Sequence, residues 1–286
     1  MSHRPRKRFG QNFLQNPGYI EAIVDAINPK PEQHLVEIGP GLGAITTGLL
    51  KAAKSLDVIE LDRDLIGPLT KNCANYGDLR IHQADALQFD FNSLAPTPTL
   101  ISHDHVKLRV VGNIPYNIST PLIFHVLSQM HCICDIHFLL QKELAERLTA
   151  NPGTKAYGRL SIMVQVHCMV QHLFDIEPHA FSPIPKVESS LVRLLPYSQP
   201  PYSIVNYPIF ANLVTQAFSQ RRKILRNALG NLMAPEHIRN AGIDGTRRPE
   251  QLTISEFVQL SSYLAANKDF IATSDVSMEH NFRNRQ

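Results

Sequence analysis

Five short apolar runs punctuate residues 34–142, and the segments between them are long enough for amphipathic helices. The runs are LVEIG (35–39), LDVIELD (56–62), LRIHQAD (79–85), KLRVVGN (107–113) and CDIHFLLQK (134–142). Strands that are apolar along their whole length, rather than at alternate positions, are buried on both faces. That pattern belongs to parallel sheets built from βαβ units. Between the runs, AITTGLLKAA (44–53) and STPLIFHVLSQM (119–130) carry helical spacing, the second with Ser119 as N-cap and Pro121 in its first turn. LTANPGTKAYG (148–158) breaks the alternation, RLSIMVQVHC (159–168) reads as a helix, and strands near 169–176 and 189–195 complete the sheet. The expected fold class is therefore α/β, a Rossmann-like sheet with helices on both faces.

After Pro196 the texture changes. SQPPYSIVNYP (198–208) has the proline and tyrosine content of a linker, and the sequence beyond it reads as helices. Phe210, Leu213, Val214, Ala217, Phe218, Leu225 and Ala228 recur there at helical spacing. The expected organisation is an α/β domain over 1–200, opening with a basic segment over 1–33, then a smaller all-helical domain over 201–270 and a polar tail over 271–286. With 43% apolar residues and no long unbroken apolar run, the chain has material for a sizeable core and none for a membrane helix. The basic N-terminus lacks the apolar stretch of a signal peptide, so a cytoplasmic protein is expected. Cys73, Cys132, Cys134 and Cys168 fit neither a disulfide framework nor a CxxC pair. His131, Cys132, Cys134 and His137 fall in a buried-strand pattern with poor zinc spacing, and no metal is expected.

The net charge of +3 says less than its distribution. Arg4, Arg6, Lys7 and Arg8 open the chain; Arg221, Arg222, Lys223 and Arg226 cluster later; Arg247 and Arg248 follow. Such clusters attract a phosphate backbone, although any one of them alone is as well explained as solvated surface.

The first run ends in Glu37-Ile-Gly39-Pro-Gly41-Leu-Gly43-Ala44 and leads into a helix. Glycines there let the backbone turn sharply and approach a ligand, and the helix N-terminus offers N–H donors. The loop alone fits both a dinucleotide fingerprint and the G-x-G-x-G of methyltransferases, and Glu60 suits either. The residues at successive strand ends favour the second. Glu60 can accept both ribose hydroxyls, while Asp85, with the backbone of Ala86, can read an adenine amino group. Together with Asn113 they line the crevice beyond the strand ends, where α/β sheets bind ligands. For Asp85 by itself, a helix N-cap explains the residue as well.

Asn113-Ile114-Pro115-Tyr116 follows the fourth run. An adenine exocyclic nitrogen is a weak nucleophile because its lone pair is delocalised into the ring. A site that alkylates it must accept both N–H bonds, which turns the lone pair outward. The Asn113 side-chain oxygen and the Ile114 carbonyl are two suitable acceptors. Pro115 biases Ile114 away from helical geometry, and Tyr116 offers a face on which an extruded base can stack.

With these residues in view, the chain resembles the ribosomal RNA adenine dimethyltransferases, nearest to the bacterial small-subunit form. The resemblance runs nearly end to end, through KRFGQNFL (7–14), VEIGPGLGAIT (36–46), VVGNIPYNISTPL (110–122), FSPIPKVESSLVRL (181–194) and AFSQRRKILRNALG (217–230). It implies a class I methyltransferase fold using S-adenosylmethionine, with Asn12 and Leu14 closing over that cofactor. Gly39 would meet its methionine part, Glu60 its ribose, and Asp85 with Ala86 its adenine, with Gly41 also binding the cofactor. Asn113 would touch both cofactor and target amine. Phe181 would stack on the target base opposite Tyr116. The family motif often has two prolines; Ile114 stands in the first place here. The implied product is N6,N6-dimethyladenosine at two adjacent adenosines of a small-subunit ribosomal RNA hairpin, made on an assembling 30S particle by a monomeric enzyme. Arg6, Lys7, Arg8, Arg221, Arg222 and Lys223 would hold the RNA. A macrolide-resistance type of large-subunit (23S) enzyme, a non-catalytic assembly factor and a nicotinamide dehydrogenase are the other readings.

Overall fold

The computed structural model describes residues 11–94, 107–220 and 222–267. They form two compact units, the described residues up to Thr149 with His167–Tyr197, and Ala150–Val166 with the described residues from Ser198 onward.

The first unit begins with β1 (Phe13–Leu14) and α1 (Pro17–Ile27). Asn16 caps that helix, its side chain accepting from the Gly18 and Tyr19 amides, and Pro17 occupies the first turn, where a missing N–H costs nothing. Asn28 ends it in the left-handed region at φ 49°. Then come β2 (His34–Ile38), α2 (Thr46–Ala53), β3 (Ser55–Glu60), α3 (Arg63–Cys73), β4 (Asp78–Gln83), β5 (Leu108–Asn113), α4 (Ser119–Leu127), β6 (Ile133–Gln141) and α5 (Lys142–Thr149). The unit closes with β7 (Cys168–Ile176), β8 (Phe181–Ser182) and β9 (Ser189–Pro196).

Seven strands form one sheet in the order β4-β3-β2-β5-β6-β9-β7. The five from β4 to β6 run parallel, and β9 inserts between β6 and β7, antiparallel to both. Every run predicted as a strand is one, within a residue or two at most boundaries. The burial explains the texture: Leu35, Val36, Leu56, Val58, Leu108 and Val110 are fully buried, because helices cover both faces. The edge strand β4 instead carries Asp78, Arg80 and His82, which blunt an otherwise open edge. The strand order reverses between β2 and β5, which places a crevice at their C-terminal ends. Separately, β1 pairs with β8, Leu14 opposite Phe181.

Two local expectations are corrected. Ser119 is the first residue of α4 rather than its cap; Ile118 takes the cap position, and the Ser119 hydroxyl donates to the Pro115 carbonyl at 3.1 Å. The divide between domains does not fall simply near residue 200, because Ala150–Val166 groups with the helical unit. Tyr157 gives the reason. It is fully buried, edge-on to Phe218 at 6.3 Å, and Phe218 in turn meets Phe257 at 5.9 Å, so this aromatic finds its core among helices.

That second unit contains α6 (Arg159–Gln165), α7 (Tyr207–Ser219), α8 (Leu225–Ala228), α9 (Pro235–Asn240) and α10 (Ile254–Ala266). On α7 the predicted apolar stripe is real: Phe210, Leu213, Val214 and Ala217 are buried. Helix α10 starts with a capping box in which the Thr253 side chain accepts from the Glu256 amide and the Glu256 side chain reaches back. Among the described residues, no helix is long and apolar enough to cross a membrane.

Candidate functional site

A cavity of about 400 Å³ opens where the strand order reverses, large enough for an adenosine-sized ligand. Its floor is the turn after β2. Gly39, Gly41 and Gly43 there have φ of 66°, 60° and 90°, a conformation that a side chain strongly disfavours. At Gly41 there is a second reason, since a Cβ would lie 3.0 Å from the Phe13 ring.

Glu60, the last residue of β3, is 6% exposed and lines one wall. Its Oε1 accepts from the Asp62 amide at 2.8 Å and its Oε2 from the Gly41 amide at 3.3 Å, so the carboxylate is fixed and each oxygen retains a lone pair. Burial raises its pKa, with those backbone donors pulling the other way. Glu37 also lines the cavity, one residue before the end of β2. It is 2% exposed with Oε2 unbonded, and burial pushes it up to about 7, the nearby Thr46 hydroxyl pulling the other way and the Glu60 charge adding to the rise. Sequence reasoning passed over Glu37, although it stands inside the glycine motif.

Asp85 and Ala86 line the cavity too, but not from a strand end. β4 stops at Gln83, and Asp85 sits in the turn beyond, its Oδ1 accepting from the Leu87 amide at 2.9 Å. The local turn bond and a ligand contact are compatible, because the carboxylate has a second oxygen.

Across the cavity lies the segment before α1. Asn12 and Leu14 line it, as do Gln11 and Phe13. Besides its pairing with β8, contacts that hold this strap include the Gln11 side-chain amide donating to Asp62 Oδ2 at 3.1 Å and Asn113 Nδ2 donating to the Asn12 carbonyl at 3.1 Å. The second decides how the Asn113 amide faces. A carbonyl can only accept, so it must meet the NH2 end, and Oδ1 becomes the end left for a ligand. Ile114, Pro115 and Tyr116 continue the wall. The Ile114 amide is spent on the Leu139 carbonyl at 3.1 Å, and the Pro115 carbonyl on the Ile118 amide at 3.1 Å. Tyr116 joins its hydroxyl to Ser189 Oγ at 2.8 Å, and burial raises its pKa, so the phenol stays neutral.

One expected member is elsewhere. Phe181 is 3% exposed, packs in the core with Leu14, Ile176 and Leu191, and does not line the cavity. Its pairing opposite Leu14 turns the ring inward. Of the expected RNA-binding residues, Arg6, Lys7, Arg8 and Arg221 lie outside the described residues. Arg222 and Lys223 are exposed in the helical unit, between α7 and α8. Two backbone bonds bring the segments of Arg226 and Arg248 beside each other, the Leu225 amide to the Arg247 carbonyl and the Arg226 amide to the Gly245 carbonyl. Both side chains are exposed, whereas Arg247 is paired with Glu256.

The sheet order with its reversed β9, and the glycine turn beneath a strand-end cavity, define the fold of a class I methyltransferase. The family model for ribosomal RNA adenine dimethylase matches residues 2–266, and the chain belongs to that family. A protein of Pseudomonas savastanoi pv. phaseolicola named ribosomal RNA small subunit methyltransferase A is 53% identical over 263 residues, 92% of this chain and 96% of that one. Its namesake in Saccharophagus degradans is 54% identical over 262 residues, 92% and 95% of the two chains. Among solved structures, a dimethyladenosine transferase from Plasmodium falciparum aligns with TM-score 0.72 at 28% identity, over 90% of this chain and 98% of that one. The 23S rRNA methyltransferase ErmE shares the fold, with TM-score 0.69 at 22% identity, over 89% of this chain and all of that one.

Proposed function

We propose that this chain transfers methyl groups from S-adenosylmethionine to the N6 atoms of two adjacent adenosines in a small-subunit ribosomal RNA hairpin, giving N6,N6-dimethyladenosine during subunit assembly. The observation that carries this reading is the orientation of Asn113. Its amide is locked by the Asn12 carbonyl with Oδ1 left over at the rim of an adenosine-sized cavity.

The cofactor, when bound, supplies an electrophilic methyl group. Glu60 offers one lone pair on each oxygen to the ribose hydroxyls, and Asp85 with the Ala86 backbone meets the adenine. Gly39 and Gly41 let the main chain approach the methionine part, while Asn12 and Leu14 cover the cavity. Asn113 Oδ1 and the Ile114 carbonyl would accept the two N–H bonds of the target amine, which turns its lone pair out of the ring plane's conjugation and frees it to react. The same two acceptors would favour the positive charge that the target nitrogen gains on methylation. Its excess proton then leaves to water. Tyr116 takes no proton, since its neutral phenol is held by Ser189; its ring is the platform for the extruded base.

Arg222 and Lys223, together with Arg6, Lys7, Arg8 and Arg221, contact RNA phosphates, and the enzyme acts as a cytoplasmic monomer on an assembling 30S particle. The relatives at 51–54% identity are named for the small subunit, which favours that substrate over the large-subunit one. The test is incubation with radiolabelled S-adenosylmethionine and separated, unmethylated small and large subunits, followed by mapping of the label. Label confined to paired adenosines in small-subunit RNA is expected; label only in large-subunit RNA, or none, overturns the proposal.

A further inference from the structure

We propose that Ser189 is a positioning residue for base methylation: its buried hydroxyl anchors the tip of Tyr116 and so fixes the plane on which the target adenine rests. The inference rests on Tyr116 being the stacking platform.

Ser189 opens β9, is 1% exposed, and is paired on both sides, with Gln141 of β6 and Ile176 of β7. A position so enclosed favours an apolar side chain, because a buried hydroxyl is costly unless it is bonded. The bond it makes reaches 73 residues back, to Tyr116 Oη at 2.8 Å. The next residue, Ser190, points to the other face of the strand and donates to Asp175 Oδ1 at 2.6 Å, within a cluster that also holds Lys142. The two serines thus have separate partners, and only the first reaches the cavity wall.

Tyrosine swings about two torsions. The root of Tyr116 is fixed by the turn in which the Ile118 amide bonds the Pro115 carbonyl. Its tip is fixed by a hydroxyl on a strand in the interior of the sheet. With both ends held, the ring presents one plane to the base and loses little freedom when the base arrives. A phenylalanine would offer the same stacking face without the anchor. The structure therefore separates the ring, which binds, from the hydroxyl, which aims.

The test is single-turnover methylation of unmethylated small subunits by Ser189→Ala, Tyr116→Phe, the double variant and Tyr116→Ala, with cofactor affinity measured by calorimetry. Loss of one such hydrogen bond is expected to slow transfer roughly 3- to 10-fold in either single variant. The double variant should be no slower than the slower single one, since both remove the same bond. Cofactor affinity should not change in Ser189→Ala, whose side chain does not line the cavity. A general weakening of the fold would not produce that lack of additivity. If the two effects multiply, or if both single variants keep the parental rate while Tyr116→Ala is slow, the positioning role is wrong and the platform survives. A parental rate in Tyr116→Ala removes the platform reading itself. Should Ser189→Ala fail to fold, Tyr116→Phe still removes the bond without touching the strand, and a parental rate there overturns the inference.

Discussion

Asp57 and Asp135 lie in the first half of their strands and are wrapped by basic side chains, whereas Glu37 and Glu60, at or beside the C-terminal ends of β2 and β3, have no ion-pair partner among the described residues. All four are buried, between 1% and 6% exposed. Asp57 receives His34 and His82 at 2.7 Å each, and Arg80 at 2.7 Å. Burial alone would raise its pKa, but those partners reverse the shift and hold it well below the ordinary range. Asp135 receives Arg109 at 2.8 Å and Arg193 at 3.3 Å, again with burial outweighed. Arg109 also donates to the Ile27 carbonyl at 2.7 Å, which ties the end of α1 to the sheet. In contrast, Glu37 and Glu60 are shifted upward by the same burial. Burying an acid without a partner is costly. Both of these acids line the cavity, where under the proposed function a ligand would supply donors. Paired acids hold the fold together; unpaired acids mark the site.

The sharpest way to break this comparison is to neutralise one paired acid. In Asp135→Asn the Arg109 guanidinium, 8% exposed, keeps its charge because arginine does not deprotonate in proteins. It then lacks its counter-ion. The expected loss is about 3–5 kcal/mol of folding stability, read from urea denaturation. A loss below about 1 kcal/mol, the level of an exposed pair, would mean that the cluster is not structural.

The next effect belongs to the site. Asn113→Ala should lower single-turnover methylation by on the order of 10²–10³, the usual cost of deleting one preorganised hydrogen-bond partner of a reacting group. Stability should fall far less than in Asp135→Asn, because among the described residues the Asn113 side chain makes a single hydrogen bond, the 3.1 Å contact to the Asn12 carbonyl. Particle binding should persist, since it rests on distant phosphate contacts. Near-parental rates would remove Asn113 from the mechanism.

Much of this division could be read from the sequence. The strands were legible because burial on both faces leaves an unbroken apolar signature, and the glycine turn because three glycines follow a strand directly. Asn113 and Glu60 were legible as polar residues closing apolar runs. What escaped depends on distant partners. Tyr116 gives no sign of Ser189, 73 positions away, nor Gln11 of Asp62, 51 away. Phe181 was expected beside the target base through the family resemblance; its inward turn follows from pairing with β1, which two residues cannot announce. Tyr157 resembles a loop tyrosine until the helices around it are known. Glu37 was hidden in plain view, since the glycines drew the interpretation of its motif.

The smallest effect is also the most discriminating, because it repeats the first operation on an unpaired acid and should have the opposite sign. Glu37 titrates near 7 in the folded protein and near 4.5 when unfolded. Below the lower value both states hold the proton. Between the two, the folded protein keeps a proton that the unfolded chain has released, so stability falls as pH rises, and the loss is complete above about 7. Glu37→Gln is neutral throughout. Relative to the parent it should therefore gain stability progressively from pH 5 to pH 8, reaching about 1–3 kcal/mol. Urea midpoints for the two proteins at four pH values measure the difference. Effects of Asp57 and Asp135 at low pH are common to both and cancel. A variant that is less stable than the parent at pH 8, or whose difference does not change with pH, would show that Glu37 is satisfied in the folded state. The contrast with Asp135 would then fail.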